Sequence, residues 1–127
     1  EKKIKSIPLK VSAPFHCSLM KSAADKMSDK IKNTNFRSPT HSILSNVTAK
    51  IEKNPENIKK LLIDQIFSTV KWRETIINIS NEGVSNFVEI GPGKVLIGMV
   101  KRTVKNVNCF SINALDDIKN LTNEINK

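Results

Sequence analysis

Hydrophobic residues recur at helical spacing along several stretches of this chain. From Ser18 they return every third or fourth position as far as about Asn33, a pattern typical of an amphipathic helix packed against a core. Asn54 followed by Pro55 predicts the start of a second helix, because asparagine caps helices and proline suits their first position. The same spacing predicts further helices over residues 70–79 and 95–100 and from Asp116 or Asp117 onward. Gly83 is expected to close the helix over residues 70–79 in a left-handed cap.

Short apolar runs between the predicted helices have the length and composition of strands. They lie at residues 4–11, 43–47, 86–90 and 107–112. The first run alternates apolar and polar residues, and its Pro8 suits an edge strand. The polar residues 48–53 are expected to form a loop. Strands that alternate with helices predict an α/β fold with parallel pairing.

The chain is strongly basic. Lysine and arginine outnumber aspartate and glutamate by 21 to 12, which gives a formal charge of +9. Such a charge is compatible with binding to nucleic acid, a membrane surface or an acidic partner. The lysines are scattered, however, aromatic residues make up only 5%, and no nucleic-acid-binding motif is present. No apolar run is long enough to span a bilayer, and the chain does not open on a signal peptide, so we expect a soluble intracellular protein.

A single histidine stands out between the first predicted strand and the first predicted helix. Residues 11–20, VSAPFHCSLM, place His16 just past a strand, where ligands and catalytic groups sit in open α/β sheets. Taken alone, a single histidine more often caps a helix or packs in a core. A Cys17–His16 pair is not favoured, because neighbouring side chains in an extended segment point apart. Cys17 and Cys109 lack the spacing of a zinc site and are expected to be reduced thiols.

A glycine-rich turn follows the third predicted strand. Residues 91–94, Gly-Pro-Gly-Lys, resemble part of a phosphate-binding loop, but the G-x-x-x-x-G-K-[ST] spacing is absent. We interpret them as a tight strand-to-helix turn whose glycines allow close approach of the backbone. Glu89 is either a buried acid or, as its position favours, a solvated or turn-bonding residue. Asn46 is expected to fix a turn rather than to contact a substrate.

Several of these motifs together resemble one family, the malonyl-CoA:acyl carrier protein transacylases of fatty acid synthesis. The resemblance rests on residues 11–20, 45–47 and 88–96 and on Gln65 with Val70 and Trp72. It runs in the family's order and covers the carboxyl-terminal part of such an enzyme, less than half of it. It implies the carboxyl-terminal part of an α/β-hydrolase-like acyltransferase domain, with parallel strands flanked by helices. Residues 1–11 would end the small ferredoxin-like subdomain, and residues 12–127 would belong to the large domain.

The resemblance also implies a reaction. Members transfer a malonyl group from malonyl-CoA to the phosphopantetheine thiol of acyl carrier protein through a seryl ester. His16 matches the catalytic base of the family, and Gln65 matches the residue whose main-chain carbonyl orients that histidine. Because this contact comes from the backbone, the Gln65 side chain is expected to be replaceable. Malonyl-CoA would be the substrate and acyl carrier protein the partner, with no permanently bound cofactor or metal and a cytoplasmic location.

The chain departs from the family in one decisive respect. No serine stands in a G-x-S-x-G turn, and the family's nucleophile, malonyl-binding arginine and oxyanion-hole segment would all precede residue 1. We therefore expect the chain to hold the base without the nucleophile and to be inactive alone. Three alternatives stay open: an enzyme half that pairs with a separate amino-terminal chain, a non-catalytic remnant of a decayed or split gene that binds acyl carrier protein or coenzyme A, and a nucleic-acid-binding protein.

Overall fold

The computed structural model describes residues 12–125 of the chain. The strand predicted at residues 4–11 lies outside the described residues, and so does the proposed end of a small subdomain at residues 1–11. The chain divides into two compact units, the first comprising Glu1–Val47 and Ile51–Val70 and the second Thr48–Lys50 and Lys71–Lys127. No helix within the described range is long and apolar enough to cross a membrane.

The first unit combines two helices with a short hairpin-like ladder. Its elements are a 3-10 turn at Ser18–Met20, α1 at Lys21–Asn33, β1 at Ile43–Leu44, β2 at Ile51–Glu52 and α2 at Pro55–Phe67. The predicted cap of α2 is confirmed. The Asn54 side chain accepts hydrogen bonds from the backbone amides of Glu56 and Asn57, and so satisfies two amides that have no partner inside the helix.

Two predictions about the strands of the first unit are wrong. β1 ends at Leu44 instead of reaching residue 47, and Ile51 and Glu52 form a strand where a loop was expected. The Ser45 hydroxyl accepts a hydrogen bond from the Val47 amide, a local turn that competes with continued strand pairing. The chain then returns beside itself, so β1 and β2 pair antiparallel rather than parallel.

The second unit is a strand–helix–strand arrangement with a helix at each end. Its elements are α3 at Trp72–Asn81, β3 at Asn86–Ile90, α4 at Val95–Thr103, β4 at Asn108–Ile112 and α5 at Leu115–Ile125. β3 and β4 pair in parallel, with Asn86 opposite Asn108 and Ile90 opposite Ile112. Parallel strands require a crossover connection, and α4 supplies it. The predicted parallel α/β architecture is confirmed for this unit.

The core of the second unit lies between this sheet and its helices. Its buried members are Ile76, Phe87, Ile97 and Val100. Ile97 and Val100 are three positions apart in α4 and therefore share the face that meets the sheet. Half-buried side chains close the cluster, namely Trp72, Ile79, Val104, Val107 and Cys109. Burial of each large member contributes roughly 1.5–3 kcal/mol to folding.

Glycines with positive φ end one helix and precede another. Gly83, at φ 86°, closes α3 as predicted, and its amide donates to the Ser80 carbonyl. Gly91 and Gly93, at φ 135° and 100°, form the turn between β3 and α4. No described atom lies within 4 Å of a Cβ built on either residue. The amide of Gly91 donates to the Ile112 carbonyl at 3.0 Å, so the backbone of β4 approaches this turn as expected. The left-handed conformation itself is the reason for glycine at both positions.

Candidate active site

His16 lies on a tight turn that leads into the helices of the first unit. The amide of Phe15 donates to the Ala13 carbonyl at 2.9 Å, and the Cys17 thiol donates to the Pro14 carbonyl at 3.1 Å. His16 itself has φ of 56°, a left-handed conformation that few non-glycine residues adopt. Its side chain is exposed, so the imidazole is presented at the surface. Strain of this kind is commonest where a side chain must be held in a functional direction.

The ring of His16 is held by the backbone of α2. Its Nδ1 lies 2.8 Å from the main-chain oxygen of Gln65, across 49 positions of sequence. A carbonyl oxygen can only accept, so a neutral ring in this contact carries its proton on Nδ1. The lone pair of Nε2 then remains available to take a proton from another group.

The end of α2 explains why the Gln65 carbonyl is free to make this contact. α2 ends at Phe67, and the last four carbonyls of a helix have no partner inside it. The residue four positions after Gln65 is Thr69, which lies beyond the helix. The Gln65 oxygen is therefore an unsatisfied acceptor of the last turn, directed away from the helix toward the turn that carries His16.

The Gln65 side chain also has a defined partner, which the sequence analysis did not anticipate. Its Oε1 accepts a hydrogen bond from Asn46 Nδ2 at 3.2 Å, and both residues are half-buried. Asn46 was expected to fix a turn. In the structure it also binds a residue of α2 that lies 19 positions further along the sequence. One sequence feature could have pointed to Asn46 as part of the site: it belongs to residues 45–47, one of the motifs that carry the family resemblance.

A cavity of about 180 Å³ in the first unit reaches Gln65. Its lining is mostly aliphatic and consists of Ile43, Leu44, Ser45, Glu52, Ile58, Leu61, Leu62 and Gln65. Such surroundings strengthen hydrogen bonds beside them, because the local dielectric is lower than that of water.

Two alternative chemistries gain no support from the geometry. The Cys17 thiol donates to Pro14 in its own turn rather than to the His16 ring, and no cluster of metal-binding side chains occurs among residues 12–125. The turn at residues 91–94 is likewise unsuited to phosphate. The carboxylate of Glu89 accepts from the backbone amides of Leu96 at 3.3 Å and Ile97 at 2.9 Å, so it already fills the place of an anion at the start of α4.

Known proteins are similar to this chain in sequence. The malonyl CoA-acyl carrier protein transacylase of Haemophilus influenzae is 40% identical over 109 residues, which are 86% of this chain and 35% of that protein. The protein of the same name from Synechocystis is 38% identical over 117 residues, which are 92% of this chain and 40% of that protein. This chain is similar to part of the malonyl CoA-acyl carrier protein transacylases. It spans well under half the length of these relatives, and no protein-family model matches it.

Solved transacylase structures share the fold as well. An acyl carrier protein S-malonyltransferase from Vibrio cholerae matches with a TM-score of 0.87 at 38% identity, covering 92% of this chain and 38% of that one. A malonyl-transacylase solved in complex with its acyl-carrier protein matches with a TM-score of 0.84 at 39% identity, with the same coverage. The resemblance and the acyltransferase fold predicted from the sequence are thereby confirmed.

Proposed function

We propose that this chain supplies the general base, His16, of a malonyl-CoA:acyl carrier protein transacylase of fatty acid synthesis. The observation that carries the proposal is the 2.8 Å contact between His16 Nδ1 and the Gln65 carbonyl. This contact selects the tautomer whose Nε2 can accept a proton, and the exposed ring leaves that nitrogen accessible to a serine from another part of the enzyme.

The reaction proceeds in two matched halves. His16 Nε2 takes the serine proton as the serine oxygen attacks the malonyl thioester. The carbon–sulfur bond then breaks, and the imidazolium returns its proton to the departing coenzyme A thiolate. In the second half His16 takes the proton of the phosphopantetheine thiol, whose sulfur attacks the malonyl-serine ester. The carbon–oxygen bond to the serine then breaks, and the imidazolium returns its proton to the departing serine oxygen. The Gln65 carbonyl stabilises the transient imidazolium by accepting from Nδ1–H, and general-base catalysis of this kind contributes roughly 10²–10⁴-fold.

The relatives support the choice of substrates and partners. The four relatives described above carry the transacylase or malonyltransferase name, and one was solved with its acyl-carrier protein bound. We propose malonyl-CoA and acyl carrier protein as the ligands of the complete enzyme, without a permanently bound cofactor, in the cytoplasm. The formal charge of +9 favours both ligands, since coenzyme A carries phosphates and an acidic carrier would be steered toward a basic surface.

The nucleophile must come from outside these 127 residues, because no serine here stands in a G-x-S-x-G turn. The chain therefore acts together with the remaining part of a transacylase, and we expect no malonyl transfer by the chain alone. The same observation favours a second function, a non-catalytic module that binds acyl carrier protein or coenzyme A.

A chimera tests the proposal. This chain would replace the matching region of the Haemophilus influenzae transacylase, and malonyl transfer from malonyl-CoA to acyl carrier protein would be measured. We expect an active chimera, a loss of roughly 10²–10⁴-fold in kcat with His16→Ala, and little change with His41→Ala, the other histidine of the chain.

Other outcomes would decide against catalysis. A folded chimera that is inactive with His16 intact contradicts the proposal, and measurable binding of acyl carrier protein or coenzyme A by the same chimera would then identify the non-catalytic module. A His16→Ala chimera that keeps full activity contradicts the assignment of the base.

A further inference from the structure

We propose that Asn46 and the side chain of Gln65 form a positioning pair that keeps the His16 ring in its base-competent tautomer. The inference deepens the proposed function, because the tautomer matters for catalysis only if His16 is the base. It also reverses the expectation that the Gln65 side chain is replaceable.

Gln65 presents two oxygens to two different partners. Its main-chain oxygen meets His16 Nδ1 at 2.8 Å, and its side-chain oxygen meets Asn46 Nδ2 at 3.2 Å. The same residue thus joins the turn that carries His16 to the connection between β1 and β2. A change in the orientation of Gln65 moves the carbonyl that holds the ring.

The position of Gln65 in α2 makes such a tether necessary. It is the third residue from the end of the helix, in the last turn, where helices fray. Its carbonyl has no partner within the helix, so the usual bond from four residues onward does not fix its direction. The Asn46 amide supplies an anchor from a different element of the same unit.

Asn46 is itself held in place. The adjacent Ser45 hydroxyl accepts from the Val47 amide at 3.1 Å, which orders the backbone on both sides of Asn46. Asn46 and Gln65 are half-buried, and Gln65 lines the mostly aliphatic cavity, so an amide left without its partner there would be costly. The pair is therefore preorganised rather than formed on demand.

Loss of the pair has a specific consequence for the ring. A displaced Gln65 carbonyl no longer selects the Nδ1–H tautomer, and the Nε2–H tautomer gains population. Only the fraction of molecules with a free Nε2 lone pair can act as base, so the rate falls with that fraction.

Nitrogen-15 NMR of the histidine rings measures the tautomers directly in the 127-residue chain. We expect His16 in the unchanged chain to carry its proton on Nδ1. Asn46→Ala or Gln65→Met should lower the ratio of Nδ1–H to Nε2–H by roughly two- to tenfold, the equivalent of one hydrogen bond. Gln65→Glu keeps an acceptor for the Asn46 amide, so its ratio of Nδ1–H to Nε2–H should stay close to that of the unchanged chain. His41 serves as the internal reference.

Asn54→Ala is the matched control. It removes the cap of the same helix and destabilises α2 at the opposite end without touching Gln65. We expect the His16 tautomer ratio to stay unchanged in this variant. An unchanged ratio in Asn46→Ala, or an equal loss in Asn54→Ala, would overturn the proposal, the second because it would reduce the effect to general loss of helix stability.

Kinetics of the chimera separate this inference from the proposed function. Asn46→Ala and Gln65→Met should lower kcat in proportion to the fraction of His16 that NMR finds in the Nδ1–H form, a smaller factor than the change in the tautomer ratio, and leave KM unchanged. If His16→Ala retains activity, the base assignment fails while the NMR measurement still decides whether the pair positions the ring. If His16→Ala abolishes activity but the two variants are unaffected in both measurements, the positioning pair alone is wrong.

Discussion

The two units of this chain differ in how they hold their side chains in place. In the described part of the first unit only Ala24, 1% exposed, is fully buried, and its candidate site is exposed and polar. In the second unit Ile76 and Val100 are 3% and 2% exposed and belong to a continuous apolar core. Among the described residues, the region with the candidate chemistry is thus the one with fewer buried side chains.

This difference shows which kind of contact fixes the side-chain positions in each unit. The contacts among His16, Gln65 and Asn46 are directional hydrogen bonds to a helix end and across a strand connection. The contacts among the core residues of the second unit are non-directional packing, which stabilises through buried area. Substitutions in the second unit should therefore change the free energy of unfolding, whereas substitutions at His16 and its supports should change the state of one ring.

The largest expected effect on stability is at Phe87. Phe87→Ala removes a buried ring from the second unit and should lower the free energy of unfolding by about 3–5 kcal/mol. The chain contains a single tryptophan, Trp72, which packs against this core, so its fluorescence in a urea titration reports the unit directly. Val88→Ala, at a 39% exposed position on the other face of β3, is the control and should cost about 1 kcal/mol or less. Equal losses in the two variants would break the contrast between packed core and exposed face.

An intermediate effect is expected at Glu89, which joins a strand to a helix by hydrogen bonds. Glu89→Gln weakens the bonds to the amides of Leu96 and Ile97 and should cost about 1 kcal/mol, again read from Trp72. Glu74→Gln removes a carboxylate from the first turn of α3 and should cost only about 0.3 kcal/mol, the contribution of the helix dipole. If the two variants are equally destabilised, a negative charge near a helix end would account for the contribution of Glu89 to stability, and its hydrogen bonds would contribute nothing further.

The smallest effect concerns the exposed carboxylate of Asp117. Hydrogen bonds from the backbone amides of Asn113 and Ala114 hold the pKa of Asp117 below its usual value of 3.8. The carboxylate is favoured in the folded state, so its contribution is complete above the unfolded value and is lost as the pH falls through the lowered one.

An NMR titration can follow the Asn113 and Ala114 amides below pH 3.8. Their signals should move with the ionisation of Asp117, and Asp117→Asn should remove this movement. Asp116→Asn, which loses only a surface contact with Lys119, should leave it intact. A titration that survives Asp117→Asn would show that another group controls these amides.

Much of the fold was predictable because its signals are local. The Asn54–Pro55 start of α2 and the Gly83 end of α3 depend on backbone preferences within one turn. The parallel pairing of β3 and β4 followed from strands that alternate with a helix. A strand was predicted around β1, but β2 and its antiparallel pairing were missed, because a two-residue strand between Lys50 and Lys53 carries almost no periodic pattern.

The candidate site was likewise predictable only in part. His16 and Gln65 could be named from the sequence because they stand in motifs that resemble a known family, and their catalytic roles stay predictions. A turn-bonding role was favoured for Glu89, but the two amides that it binds, and the bond of Asn46 to the Gln65 side chain, could not be read from any motif.

The sequence by itself thus determined the helices, the parallel strand pair, the residue that we propose as the base and the residue whose carbonyl we propose orients it. Only the tertiary structure decided which oxygen of Gln65 meets which partner. The physical reason is range: propensities, caps and periodicity act over a few residues, whereas these contacts join groups 19 and 49 positions apart, whose approach depends on how each element packs.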